Sequence, residues 1–159
     1  MRSSRPLYGR SGELAILDAL LNRLRSGHGG TLVLTAPPGL GRTALLDHTA
    51  AVHTDGTVLR AEAAATERLL PYSGLHALLC SAPNAPLRAP VPPPLPLAAG
   101  VRAGPAGTAL LGLLTDLGAR EPLLVQVDDA HAWDPASRAA LAFAARRLPA
   151  RGRVAVLLT

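Results

Sequence analysis

The feature that most constrains this chain is a short apolar run, residues 31–35, that leads through a proline- and glycine-rich turn into a helix-forming segment. Gly39 and Gly41 lie in the turn, where they let the backbone curl so that several N–H groups point at one anion. A helix that begins directly after such a turn adds the positive end of its dipole. The pattern therefore predicts a phosphate-binding loop, with an ordinary turn that binds no ligand as the alternative.

The loop departs from the standard G-x-x-x-x-G-K-Ser/Thr spacing at two positions. Ala36 takes the first glycine position and Arg42 the lysine position, whereas Gly41 and Thr43 fit. Lysine is a compact point charge and arginine a wide planar fork, so Arg42 can neutralise phosphate without placing its charge in the same way. Thr43 supplies the hydroxyl that the pattern uses for Mg²⁺. We therefore expect nucleotide hydrolysis to be weak or absent.

A second motif ends in two acids. The apolar run 123–127 is typical of a strand buried on both faces of a parallel sheet, and Asp128 and Asp129 follow it directly. Ligands of open α/β sheets bind beyond the carboxyl ends of the strands, so this edge and the loop can face one ligand. In this Walker B arrangement Asp128 would hold Mg²⁺ through water, and Asp129 would orient or deprotonate the attacking water. The alternative is a pair of turn or helix-capping acids.

Strands and helices alternate along the chain. Strands are predicted at four apolar runs, residues 31–35, 57–61, 123–127 and 154–159. Five helices are predicted. The first is capped by Ser11, the second covers residues 43–52, and the third begins at Pro71. The fourth covers residues 108–117 and ends at Gly118, and the fifth begins after Asp134-Pro135. This order indicates a three-layer α/β fold with a mainly parallel sheet. The many prolines between 83 and 107 predict an irregular excursion.

The amino-acid composition and the charge disfavour several classes of protein. The formal charge is +5, but the 16 basic side chains are all arginine, scattered, and not interleaved with aromatics. This pattern favours a solvated basic surface over a nucleic-acid interface. Cys80 is the only cysteine, so an intrachain disulfide is excluded. Neither a signal peptide nor an apolar run long enough to cross a bilayer is present, and we expect a cytoplasmic protein with no membrane contact.

Several other polar residues have a functional and a structural interpretation, and the structural one is favoured for each. We expect Asp134 to be a helix N-cap, His131 a packed loop histidine, and Arg146 and Arg147 a solvated helix end. Glu62 and Glu67 follow the second predicted strand and are expected to be surface charges. The functional alternatives are contacts of His131, Glu62 and Glu67 with phosphate, and an arginine finger from the helix end.

Four segments together resemble the N-terminal ATPase region of the large LuxR-type transcriptional regulators, within the AAA/STAND class of P-loop NTPases. They are LYGRSGEL at 7–14, APPGLGRTALL at 36–46, LPYSGLHALL at 70–79 and LLVQVDDAH at 123–131. The first resembles the family's GRxxEL box, the second its phosphate loop, and the fourth its Walker B strand. The third and fourth together are the most specific, and the resemblance covers nearly the whole chain.

The resemblance implies a set of site residues and cofactors. ATP and Mg²⁺ would be the ligands, with Arg10 near the nucleotide. The loop residues around the phosphates would be Pro38, Gly39, Leu40, Gly41, Arg42, Thr43 and Ala44. Thr43 and Asp128 would hold the metal, and Asp129 would be the catalytic base. Proteins of this family use their ATP state as a switch that controls a distant DNA-binding domain.

The resemblance also implies that residues 1–159 are part of a larger P-loop core. The family's fifth strand, helical lid, repeat region and DNA-binding domain have no counterpart here, so we expect no direct nucleic-acid contact. In the usual strand order 5-1-4-3-2, the first strand would be an edge. Partners would be the remaining domains of a regulator, with self-association left open. Two alternatives remain. The first is a nucleotide-free module that serves only protein interaction. The second is a small-molecule kinase, which would need an arginine-rich lid, and residues 83–107 do not resemble such a lid.

Overall fold

Four parallel strands form the sheet of this protein. The computed structural model describes residues 9–37, 39–82 and 104–159. Its strands are β1 (Gly30–Val33), β2 (Thr57–Glu62), β3 (Leu123–Asp128) and β4 (Val154–Leu158), in the spatial order β1-β4-β3-β2. Every pairing is parallel, and β1 lies at an edge of this sheet. The predicted parallel sheet and strand order are therefore confirmed.

Five α-helices of the described residues cover the sheet on both faces. They are α1 (Ser11–Arg25), α2 (Arg42–Val52), α3 (Ser73–Cys80), α4 (Gly104–Arg120) and α5 (Pro135–Ala145). Leucines of α1 and α2 pack with Leu124 and Leu157 on one face, and residues of α3, α4 and α5 pack with Val125 and Val127 on the other. This is the three-layer P-loop NTPase-like fold that the sequence predicts.

The alternation of side chains along β3 explains why this strand lies at the centre. All six of its residues are buried, and odd-numbered residues from Leu123 to Val127 belong to the core under α3, α4 and α5. Leu124, Gln126 and Asp128 face the opposite layer, where α2 lies. A strand with both faces covered must be apolar along its length, so its polar residues need partners. Asp128 has them at the carboxyl edge of the sheet.

The predicted starts of α1 and α4 are wrong. Arg10 precedes the first helical residue of α1, so Ser11 is inside the helix and no side chain caps it. Helix α4 begins at Gly104 instead of residue 108, and Pro105 fits because the first turn has free N–H positions. Residues 104–107 of the predicted irregular segment are therefore helical, and residues 83–103 lie outside the described part of the chain.

The sequence predicts that Gly118 ends α4, and this prediction is wrong. The helix continues to Arg120. A side chain at Gly118 would collide with Val154 and approach the carbonyl oxygen of Arg153 to 3.3 Å. The glycine therefore allows α4 to pack closely on the start of β4.

None of the helices among the described residues has the length and apolar character that crossing a bilayer would require.

Two other glycines of α4 provide a matched test of this packing. An ideal Cβ on Gly107 would lie 2.8 Å from Cγ and Cδ1 of Phe143, whereas one on Gly112 would meet no atom within 4 Å. We expect Gly107→Ala to lower the free energy of unfolding by about 1–3 kcal/mol through overpacking. Gly112→Ala should raise it by about 0.5–1 kcal/mol, because glycine weakens a helix interior. Urea unfolding measures both, and equal effects would contradict the described packing.

Candidate functional site

The loop between β1 and α2 has the backbone form that an anion site requires. Gly39 and Gly41 have φ angles of 83° and 78°, in the left-handed region that favours glycine. Gly41 is the N-cap residue of α2, so the free N–H groups of the first helical turn follow it directly. Apart from its chain neighbours, no atom of the described residues would lie within 4 Å of a Cβ on either glycine. Pro38 lies outside the described residues.

The first two residues of α2 contact the two acids at the end of β3. The Thr43 hydroxyl donates to Asp128 Oδ2 at 2.7 Å, and Arg42 Nη2 donates to Asp129 Oδ1 at 3.1 Å. These partners are 85 and 87 residues apart in sequence. The predicted loop and the predicted acidic pair therefore lie together at the carboxyl edge of the sheet.

Asp128 is almost fully buried, with 3% of its surface exposed, and both of its oxygens accept hydrogen bonds. Thr43 donates to Oδ2, and the Thr159 hydroxyl donates to Oδ1 at 2.6 Å. A buried carboxylate is expensive unless it is paired in this way. The two hydroxyl groups therefore fix the direction of the Asp128 side chain.

Thr159 is a site residue that sequence reasoning missed. Besides donating to Asp128, its hydroxyl oxygen accepts the backbone N–H of Asp129 at 2.9 Å. It follows β4 directly, and β4 lies next to β3 with Leu158 opposite Val127. A polar residue at the end of a neighbouring apolar strand was the signal that could have identified it.

Asp129 has a left-handed backbone conformation, with φ 51° and ψ 47°. Aspartate tolerates this region better than most residues, and the contact of its N–H with Thr159 holds it there. Its side chain is 44% exposed, and the Arg42 side chain that contacts it is 20% exposed. His131 has 71% of its side chain exposed, with Nδ1 4.0 Å from Asp129 Oδ1, so the predicted packed loop histidine is wrong.

Arg10 contacts the loop from α1. Its guanidinium donates to the carbonyl oxygen of Leu40 and, at 2.6 Å, to Glu13 Oε1. The hydrogen bond from Arg10 lowers the pKa of Glu13 below its ordinary value. Leu40 itself is exposed, and Ala44 is half-buried in the first turn of α2. The structure thus places Arg10 against the loop through the Leu40 backbone.

The remaining charged candidates differ in position. Glu62 is exposed at the end of β2, in register with Asp128, whereas Glu67 is exposed in the segment that follows. Arg146 and Arg147 are exposed at the end of α5, and the Arg147 guanidinium lies 3.8 Å from the Phe143 ring centroid. Because α5 ends where the chain turns back toward the start of β4, these two arginines are remote from the acids. The predicted solvated helix end agrees with this placement.

Asp134 is the N-cap of α5, as predicted. Its carboxylate accepts from the N–H of Ser137, and also from the N–H groups of Tyr72 and Gly74 and the Ser73 hydroxyl at the start of α3. Burial raises the pKa of Asp134, but the hydrogen bonds from Ser137, Tyr72 and Gly74 outweigh it and hold the pKa below its ordinary value. One carboxylate therefore caps two helices.

The oxygen atoms of the site suit a hard cation shared with a phosphate. The Thr43 hydroxyl and the Asp128 carboxylate are adjacent, and Mg²⁺ prefers one or two such protein oxygens together with water and phosphate. Among the residues that the structure describes, no group of three or more His, Cys, Asp and Glu side chains is arranged to hold a metal. The protein oxygens that could hold a metal here are therefore those of Thr43 and Asp128.

A family model described as AAA ATPase domain matches residues 6–157. The chain belongs to this family. A search of curated proteins finds no match. The family match supports a nucleotide-binding, ATPase-like module. In this AAA ATPase domain, the loop, the first turn of α2 and the end of β3 are the elements that meet at one edge of the sheet.

The low pKa of Asp134 makes stability depend on pH in a defined direction. A carboxyl group with a lowered folded-state pKa contributes its full stability above 3.8, the ordinary value, and loses it as the pH falls further. Asp134→Asn places an amide NH₂ against N–H donors and should cost about 1–3 kcal/mol at neutral pH. The wild-type protein should then lose more stability than this variant on acidification.

Urea unfolding across the acid range measures this difference. Asp18→Asn is the control, because Asp18 is exposed on α1 and its removal changes the net charge equally. Parallel stability curves for the wild type and Asp134→Asn would contradict the assignment.

Proposed function

We propose that this AAA ATPase domain binds ATP with Mg²⁺ and serves as a nucleotide-dependent switch in a LuxR-type transcriptional regulator, with weak or absent hydrolysis. The observation that carries the proposal is that Arg42 and Thr43, at the start of α2, contact Asp129 and Asp128 at the end of β3. This contact supports the proposal because the side chains that would bind phosphate and metal lie next to the glycine loop.

In this proposal the loop binds the phosphates. The backbone around Gly39 and Gly41 and the first-turn N–H groups of α2, which include that of Ala44, supply donors to phosphate oxygens. Pro38 and Leu40 complete the loop, and Arg42 neutralises charge. The Arg10 guanidinium contacts the loop by donating to the Leu40 carbonyl oxygen.

Thr43 and Asp128 would hold the metal. A Mg²⁺ ion held by these two side chains would supply positive charge that neutralises the phosphates. Thr43 donates to Asp128, so the two groups that would hold the metal lie next to each other. Thr159 keeps the Asp128 carboxylate directed toward α2.

The ion pair between Arg42 and Asp129 supports weak hydrolysis. Asp129 is the proposed base, and its Oδ1 atom accepts from the Arg42 guanidinium at 3.1 Å. A carboxylate oxygen that is engaged in this way is less available to a water molecule. Arginine also reaches further than lysine and presents a planar fork, so Arg42 can contact phosphate and Asp129 in turn.

Placement within a LuxR-type regulator is supported by the packing of segment 70–79 against the residues that follow segment 123–131. Gly74, from the segment 70–79, packs against the buried Trp133 ring, and its N–H donates to Asp134. The N–H of Leu75 donates to the Ser137 hydroxyl at 3.0 Å. The segment that follows the acidic pair is thus joined to α3.

A nucleotide-free module remains the second candidate. The observation that favours it is that both oxygens of Asp128 accept hydrogen bonds from threonine hydroxyl groups, as those of a purely structural carboxylate would. On this interpretation the contacts of α2 with β3 are structural, and the domain serves only protein interaction.

Titration with labelled ATP, in the presence and absence of Mg²⁺, distinguishes the two candidates. We expect the wild type to bind ATP more tightly with Mg²⁺, and Asp128→Ala to lose about tenfold or more in affinity, as expected for the loss of a charged contact. Asp116→Ala, at an exposed position of α4, is the control and should bind as the wild type does. Absence of wild-type binding at millimolar ATP would eliminate the proposal and favour the nucleotide-free module.

Exchange of Arg42 tests the hydrolysis step. Arg42→Lys keeps the charge but removes the planar fork, so Asp129 should be released and ATP turnover should increase. Arg42→Ala should weaken ATP binding and leave turnover undetectable. Phosphate release measures turnover. If Arg42→Lys binds ATP but hydrolyses it no faster than the wild type, the Arg42–Asp129 pair is not what limits the reaction.

A further inference from the structure

Strand β3 contains a polar side chain that the proposed chemistry does not use. Gln126 is completely buried, two residues before Asp128 and on the same face of the sheet. Its Nε2 donates to the carbonyl oxygen of Leu46 in α2 at 2.9 Å. Its Oε1 has no hydrogen-bond partner in the described structure. A buried acceptor without a partner is unfavourable, so a methionine or leucine would serve the core better.

Among the described residues, the contact with Leu46 is one of two hydrogen bonds that join α2 to β3 itself, and the Arg42–Asp129 pair lies just beyond the strand. Thr43 meets Asp128 at the edge of the sheet, and Leu46 meets Gln126 deeper in the layer. Three helical residues advance about 4.5 Å, and two strand residues advance about 6.6 Å. Two directional contacts within one helical turn fix both the position and the tilt of α2. The apolar contacts around them are non-directional, so they do not fix the position or the tilt of α2.

We propose that Gln126 is a positioning residue that holds the first turn of α2 in the place from which Thr43 serves the metal and the phosphates. This inference rests on the proposed function. A Mg²⁺-nucleotide complex needs the Thr43 hydroxyl and the Asp128 carboxylate, so the contact at the edge is exchanged when the ligand binds. The contact from Gln126 to Leu46 involves neither group and remains in place throughout.

Gln126→Met tests the inference, because methionine has a similar length and lacks the amide. Leu124→Met is the matched control, since Leu124 is buried on the same face of the same strand and makes only apolar contacts. Both changes nearly conserve volume. Three quantities are measured for each protein: the thermal midpoint, the affinity for Mg²⁺-ATP, and amide hydrogen exchange in the first turn of α2. The Leu45 N–H, which donates to the Gly41 carbonyl oxygen at 3.1 Å, is the reporter.

We expect Gln126→Met to keep or raise the thermal midpoint, because the unpartnered Oε1 is removed. Its Leu45 amide should exchange faster than that of the wild type. Its affinity for Mg²⁺-ATP should fall about five- to tenfold, in the range that the loss of one hydrogen bond produces. Leu124→Met should leave exchange and affinity unchanged. If Gln126 were needed only for folding, its replacement would lower the thermal midpoint and the affinity for Mg²⁺-ATP together.

Unchanged exchange in Gln126→Met would overturn the inference, and so would faster exchange with unchanged affinity. A fall in its thermal midpoint, or an equal loss of affinity in Leu124→Met, would also overturn it. If the wild-type protein binds no ATP, the proposed function fails and the ligand-related part of this inference fails with it. The exchange measurement on the nucleotide-free protein then still decides whether Gln126 fixes α2.

Discussion

The contact on which the rest of the site depends is the hydrogen bond from Thr43 to Asp128. It joins the start of α2 to the end of β3, the most completely buried strand. A buried carboxylate must be satisfied, and the hydroxyl groups of Thr43 and Thr159 are what satisfy it. This requirement fixes the helix, two strand ends and the loop between β1 and α2 relative to one another. The Arg42–Asp129 pair is then a consequence of that placement.

The same polar requirement recurs below and beside the site. Gln126 connects β3 to α2 within the layer, and Asp134 connects the start of α5 to the start of α3. Gln126 lies in β3, and Asp134 lies between β3 and α5. Each forms hydrogen bonds with backbone groups of a helix that is distant in sequence. Apolar packing holds the layers together, and these directional contacts determine their register.

Much of this arrangement could be predicted from the sequence. The four strands coincide with short apolar runs, and parallel strands with helices between them leave few possible topologies. The meeting of Thr43 with Asp128 followed from placing both motifs at the carboxyl edge. The boundaries of α4 could not be predicted, because Pro105 fits a first turn and Gly118 is required by contact with Val154. Thr159 and Gln126 were missed for a similar reason, since their roles depend on a neighbouring element. The binding of ATP and Mg²⁺ and the regulator context stay predictions.

The sequence distance between the partners has a consequence for how the candidate site assembles. Thr43 and Asp128 are separated by 85 residues, and Leu46 and Gln126 by 80. Closing loops of this size opposes folding entropically, so such contacts form only when most of the chain is already in place. A partly folded chain would have the glycine loop but not the acids opposite it. Recognition of a ligand at this edge would thus report that the domain has finished folding.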